Sequence, residues 1–146
     1  MKRLILALWI LLLTSIEIPA QGLSPDVSGF LRDQNGNMQR VKYAFVNPST
    51  ATTTQVVAAQ GTGIKIRVVA ALCDPTAANT ITFNSSTAGA ISASFPVAAG
   101  IVLLLNYNPN GWFETAANEA LQVVTSAATA TGCQVAWISV STSPLP

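Results

Sequence analysis

The chain of 146 residues contains no histidine. That absence removes the side chain that ordinarily exchanges protons near neutral pH. A zinc or copper site would have to be built from cysteine and carboxylates alone, and there are only two cysteines. No metal or cofactor is expected. Charge is equally scarce: seven Lys+Arg against six Asp+Glu give a net charge of +1, no electrostatic case for nucleic acid or for a membrane surface. Gly61-Thr62-Gly63 is a two-glycine turn between strands, not a phosphate loop. No serine has a histidine to activate it, and no lysine falls in a Ser-x-x-Lys pattern. Glu114 and Glu119 are the acids of the second half, with Asp74 the other acid of the strand-rich region. Glycoside hydrolysis needs a carboxylate pair across a cleft, and nothing in this spacing supplies one. The expectation is a protein that is not an enzyme.

What is present begins with the leader. Lys2 and Arg3 precede a nearly unbroken apolar run over residues 4–16, followed by Ile18-Pro19-Ala20. This is the layout of a secretory signal peptide cleaved after Ala20. An uncleaved apolar leader helix acting as a membrane anchor is the alternative, although the run is shorter than the ~20 residues that span a bilayer. A membrane is a partner only if the leader is retained. Export suits Cys73 and Cys133, whose disulfide would close a loop worth about 4 kcal/mol in the chain-entropy account. Two buried free thiols are the alternative.

Residues 21–39 are polar and turn-rich and read as a linker or arm. Asp33, Asn35 and Asn37 alternate like the start of a calcium loop, but Met38 and Ala44 stand where Gly and Glu are required, so a plain Asn-Gly turn is expected. From residue 40 to 146 the pattern is that of strands. Val41, Tyr43 and Phe45 alternate with Lys42 and Ala44. Ile64, Ile66, Val68, Ala70 and Leu72 share one face, with Lys65 and Arg67 on the other. Ile81 and Phe83, then Ile91, Ala93 and Phe95, alternate with Ser and Thr. The run 101–105 is continuously apolar, as in a strand buried on both faces. Leu121 and Val123 share a face; Val135 and Trp137 oppose Ile138 and Val140. Residues 116–120 have the propensity for one helical turn. Runs recurring every ~8–15 residues predict an all-β antiparallel sandwich or jelly-roll-like domain whose alternate apolar side chains fill the core. Cys73 ends one run and Cys133 begins another, so their strands are expected to be antiparallel neighbours or to face each other across the sandwich.

The segment Asn106-Tyr107-Asn108-Pro109-Asn110-Gly111-Trp112-Phe113-Glu114-Thr115 marks a tight turn, with Pro109 fixing φ and Asn110-Gly111 accepting positive φ. Trp112 and Phe113 are expected as a plug closing the rim of the sandwich. Together with Tyr107 they are alternatively contacts for a sugar or a protein. Asn84-Ser85-Ser86 is a formal glycosylation sequon that also suits a turn.

Val41-Lys42-Tyr43-Ala44, the stretch 61–68, the stretch 107–116 and Asn118-Glu119-Ala120-Leu121 together resemble small β-sandwich structural proteins of tailed bacteriophages and prophages, the capsid decoration and head- or tail-surface proteins. The resemblance runs over residues 40–141, and Pro-Asn-Gly-Trp-Phe-Glu-Thr is its specific part. It implies a non-enzymatic, oligomeric module bound to a protein shell or to other virion or surface proteins. The chain adds to that pattern a leader and a cysteine pair, which imply export to the periplasm or beyond, or an unusual virus. A secreted glycan-binding or adhesion module is the second reading.

Overall fold

The computed structural model describes residues 30–33 and 35–143. The leader lies outside these residues, as do its expected cleavage site and leader helix. Among the described residues there is no helix, and every paired strand is antiparallel. The expected helical turn at 116–120 is instead a turn with Asn118 at φ 60°. Asn118 donates its backbone N–H to Ile64 O, a tertiary bond that outweighs local helix propensity in so short a segment.

The strands are β1 (Phe30–Arg32), β2 (Met38–Arg40), β3 (Lys42–Val46), β4 (Thr52–Val57), β5 (Ile64–Pro75), β6 (Asn79–Ser85), β7 (Gly89–Ala90), β8 (Phe95–Val97), β9 (Leu103–Leu105), β10 (Phe113–Glu114), β11 (Leu121–Thr125) and β12 (Thr131–Ser141). One sheet runs β10-β5-β12-β3, with β9 also paired to β5. The other runs β4-β11-β6-β7, with β8 paired to β6. Ile66, Val68, Val135 and Trp137 of the first sheet and Ile81, Phe83, Leu121 and Val123 of the second fill one core between them. This is the β-sandwich layering that the alternation predicts.

The Cys73–Cys133 bond is formed, between directly opposed residues of β5 and β12. Of the two arrangements open from the sequence, antiparallel neighbours is the one adopted.

The alternation on β5 does not run unbroken. The register with β12 slips between Ala136 and Trp137, so Val69 and Ala70 together oppose one residue, a β-bulge. Ile66 and Val68 face the core before it, Ala71 and Cys73 after it. Ala70 and Leu72, expected beside Ile66 and Val68, therefore point out of the sandwich. The run 101–105 is also corrected. Only Leu103–Leu105 is strand, Leu105 is buried, and Ile101, Val102 and Leu104 are exposed. It pairs at the end of a sheet whose outer face carries no covering layer there among the described residues, so its alternate residues are exposed.

The polar stretch read as linker or arm contains the β1–β2 hairpin. Asp33 builds its turn: Oδ1 accepts the backbone N–H groups of Asn35 and Asn37 at 2.9 Å each, and Oδ2 accepts the Asn37 side-chain amide at 3.0 Å. The alternating Asp-Asn-Asn is spent on this Asn-Gly turn. Asn35 then donates its side-chain amide to Ser141 O at 3.0 Å, tying the hairpin to the end of β12. Leu31 and Val41 pack on Val69, Ile138 and Val140, forming a second, small core on the outer side of the first sheet.

Candidate functional site: an uncovered apolar sheet face

The outer face of the first sheet is mostly apolar, with Gln134 in its middle and Asp74 and Arg67 toward its ends, and the described residues cover only part of it. Ile138 and Val140 lie under the hairpin side. Beyond Ala136 the face is open. There the register aligns Phe45, Gln134, Leu72 and Leu104 in one row across β3, β12, β5 and β9. The next row aligns Tyr43, Ala136 and Ala70. Phe45 is 84% exposed, Tyr43 70% and Leu104 57%. Small Ala70 and Ala136 leave a shallow groove of about 190 Å³ between the Tyr43 side and the Leu104–Tyr107 side. Partial burial there, then the neighbouring Tyr43 phenol, push the Tyr107 hydroxyl above its ordinary value of 10.0. Along β5 the outward side chains are Asp74, Leu72, Ala70 and, across the bulge, Val69 and then Arg67, so the open rows are uncharged and charge stands only at their ends.

The 106–112 turn closes one side of this face. Asn108 donates its backbone N–H to Val69 O and Trp112 donates its own to Val68 O, both at 2.8 Å, so the turn hangs on the bulge of β5. Inside it, Asn108 Nδ2 donates to Gly111 O at 2.8 Å and Asn110 N to Asn108 Oδ1 at 3.0 Å. The two aromatics read together as a plug part company. Phe113 packs against Phe83 with ring centroids 4.9 Å apart and joins the core. Trp112 is 48% exposed and donates Nε1 to Asn106 O at 2.7 Å. Tyr107 is exposed too, so Tyr107 and Trp112 stand at the surface and Phe113 does not.

The carboxylates have other work. Glu114 pairs with Arg67 through Oε1 and with Lys65 at 3.6 Å. Glu119 accepts the Ser85 hydroxyl and the backbone N–H groups of Thr87 and Ala88, at 3.0 Å each, through Oε2. The Ser85 hydroxyl first, then the amides of Ala88 and Thr87, hold the Glu119 carboxyl below its ordinary 4.5. Glu114 thus ties β10 to β5, and Glu119 pins the loop after β6 to the 116–120 turn. Asp74 lies beside Phe45 and Leu72 at the other end of the apolar face. Of the sequon residues 84–86, Asn84 is within β6, paired with Gln122 and Ala90 on its two sides, and Ser86 begins the turn that follows. Among the described residues no group of three or more potential metal ligands gathers.

Sequence reading missed Tyr43, Phe45, Leu72 and Leu104 as surface residues. Alternation reveals that they share a face, not which face it is. The one usable signal is Lys42-Tyr43-Ala44-Phe45: a long cation can reach out over the rim from an inward position, and Lys42 does so, with Nζ 4.5 Å from the Trp137 ring centroid.

No known family profile matches this chain, and no curated protein matches it. Among solved structures it is similar to a chain from work titled "Bacillus endospore appendages form a novel family of disulfide-linked pili", at 19% identity and a TM-score of 0.41, over 75% of this chain and 94% of that one. A likeness of that size carries no functional conclusion.

Proposed function

We propose that this protein is a non-enzymatic structural module of an exported assembly, docking onto other protein subunits through the open half of its apolar sheet face. The observation that carries the reading is that half-covered face: Ile138 and Val140 are packed under Leu31 and Val41, while Phe45, Tyr43, Leu72 and Leu104, in uncharged rows, are left exposed by the described residues. Large aromatics and aliphatics with charge excluded from the centre are the composition of an interface core. A buried disulfide is suited to an oxidising compartment. The absence of histidine, and the engagement of Glu114 in strand-to-strand ion pairs and of Glu119 in loop-pinning hydrogen bonds, support a role without catalysis. The finer form of the proposal follows the sequence resemblance: a surface or decoration subunit of a phage-like particle, with shell or tail genes as its neighbours.

The test is Leu104→Lys in the full chain. Leu104 is exposed, so the variant is expected to melt like the parent and to be missing from assemblies isolated from the native source. Incorporation at the parental level would overturn the reading. The exposure of Tyr107 and Trp112 favours a second reading, a glycan-binding surface. Its signature would be glycan-array binding that Trp112→Ala removes while Leu104→Lys leaves it intact.

A further inference from the structure

We propose that a second copy of this chain joins at β3, edge to edge about a two-fold axis through Ala44, making one sheet of the two apolar faces. This rests on the docking reading above and names its first partner.

β3 ends its sheet, and among the described residues no strand pairs with its outer side. The hydrogen-bond phase of that edge can be read from the ends of the neighbouring strands. Thr131 N donates to Pro48 O at 2.9 Å, so in the β12–β3 ladder Thr131, Cys133 and Val135 are the bonded positions, opposite Pro48, Val46 and Ala44. Thr76 N donates to Ala130 O at 2.9 Å, which puts the even-numbered residues of β12 in bonded pairs with β5 on the other side. The two phases agree. In an antiparallel ladder bonded and unbonded pairs alternate. Ala44 and Val46 therefore spend their backbone groups on β12, and Tyr43 and Phe45 aim their N–H and C=O groups outward.

An edge of this kind normally carries a charge, a proline or a bulge that blocks pairing. Tyr43-Ala44-Phe45-Val46 has none of these, and Lys42 is turned over Trp137. The short strand also complements itself. With the axis through Ala44, Tyr43 lies opposite Phe45 of the second copy, and Phe45 opposite its Tyr43. Both are the outward-aimed residues, so they form bonded pairs, and Ala44 meets Ala44 as the unbonded pair between them. Aromatic pairs lie on the outer face at both positions, a favourable cross-strand combination. The row Leu104, Leu72, Gln134 and Phe45 then continues into Tyr43 and Ala136 of the second copy. Moving the axis to Tyr43 would bring the two Lys42 side chains toward each other on one face. The axis at Ala44 keeps them about 13 Å apart along the strands. A net charge of +1 leaves little overall repulsion between copies. An isologous pairing of this kind closes as a dimer.

The test is register-specific crosslinking in the full chain, with Ala44→Cys, Lys42→Cys and Val46→Cys compared under mild oxidation by diamide. Ala44→Cys is expected to give a disulfide-linked dimer on a non-reducing gel. Lys42→Cys and Val46→Cys are expected to stay monomeric, because their twins lie well beyond the ~7 Å that a disulfide spans. Equal crosslinking of all three, or none, overturns the pairing. Phe45→Pro removes an outward N–H that the monomer does not use, so it is expected to fold and to sediment as a monomer. A dimer that survives Phe45→Pro, or a growing filament in place of a closed dimer, also overturns it. Leu104→Lys separates the two proposals: it should leave the Ala44→Cys crosslink in place while abolishing incorporation into assemblies. Loss of the crosslink in chains that still assemble through the face would sink the pairing alone.

Discussion

Gly111 lies directly against the side chain of Arg67: a β-carbon added there would come 2.5 Å from Arg67 Cγ and 2.7 Å from its Cδ. Gly111 also has φ +82°, a region that costs other residues roughly 1–2 kcal/mol. Arg67 has little freedom to retreat, since its guanidinium holds Glu114 on the adjacent β10. Gly111→Ala is therefore expected to lower the unfolding free energy by about 2–4 kcal/mol, by adding backbone strain to displacement of the Arg67–Glu114 pair. Urea denaturation would measure it. A change under about 0.5 kcal/mol would mean that the turn relaxes freely and does not fix β10 on β5.

Phe113 and Trp112 are neighbours in sequence with opposite environments, and their alanine variants should behave oppositely. Phe113 contacts Phe83 and the core, so Phe113→Ala is expected to cost about 3 kcal/mol, the lower end for a buried aromatic because the ring is only partly buried. Trp112 is half-exposed and contributes one hydrogen bond to Asn106 O, so Trp112→Ala should cost about 1 kcal/mol. Thermal melts of the two variants side by side would decide, and equal losses would return Trp112 to the role of a rim plug.

That pair also shows what the sequence makes legible and what it does not. Pro109, Asn110 and Gly111 announce the turn, because the φ values it needs are written in residue types. The direction of each ring is not written there: it depends on β10 pairing with residues 67 and 68 of β5, more than forty positions away. The same division recurs elsewhere. Leu121/Val123 and Val135/Trp137 are assigned correctly, because an unbroken period of two survives into their strands. Ala70 and Leu72 are misassigned, because a single bulge at Val69 reverses the faces beyond it and nothing in a run of Val and Ala betrays that extra residue. The outward orientation of Tyr43 and Phe45 escapes for a related reason. Alternation is symmetric between the two faces of a sheet, and only a partner layer, present on one side, breaks the tie.

Cys73 and Cys133 join the two longest strands at directly opposed positions, both nearly inaccessible to solvent. The bond closes a loop of 60 residues in the unfolded chain, which corresponds to about 4 kcal/mol of lost unfolded-state entropy. The double variant Cys73→Ala/Cys133→Ala is expected to retain the antiparallel sheet signal in circular dichroism and to lose about that much unfolding free energy in urea denaturation. If the double variant were as stable as the parent, the unfolded chain would have to be compact enough that the crosslink restricts it little.

Asp33 and Glu119 contribute to the acid response. In Asp33, burial pushes the pKa up, but the Asn37 side chain, the backbone amides of Asn37 and Asn35, and Gln39 together outweigh it and hold the group below its ordinary 3.8. In Glu119 the Ser85 hydroxyl leads, followed by the Ala88 and Thr87 amides, and again the shift is downward from 4.5. A folded-state pKa below the unfolded one means that the unfolded chain binds protons first as pH falls. The stabilisation is fully present above the unfolded values and is lost as pH drops through the depressed folded values. Stability should therefore be flat from neutral pH to about 5 and fall below about 4.5. Glu119→Gln should lower stability at pH 7, where the carboxylate otherwise anchors residues 87–88 to the 116–120 turn, and should make the fall below pH 4.5 shallower. Unfolding free energies of parent and variant measured from pH 7 to pH 3 would show the two curves converging as the acid is protonated. Parallel curves would mean that the 87–88 loop is held by Ser85 and Ser86 without help from the charge.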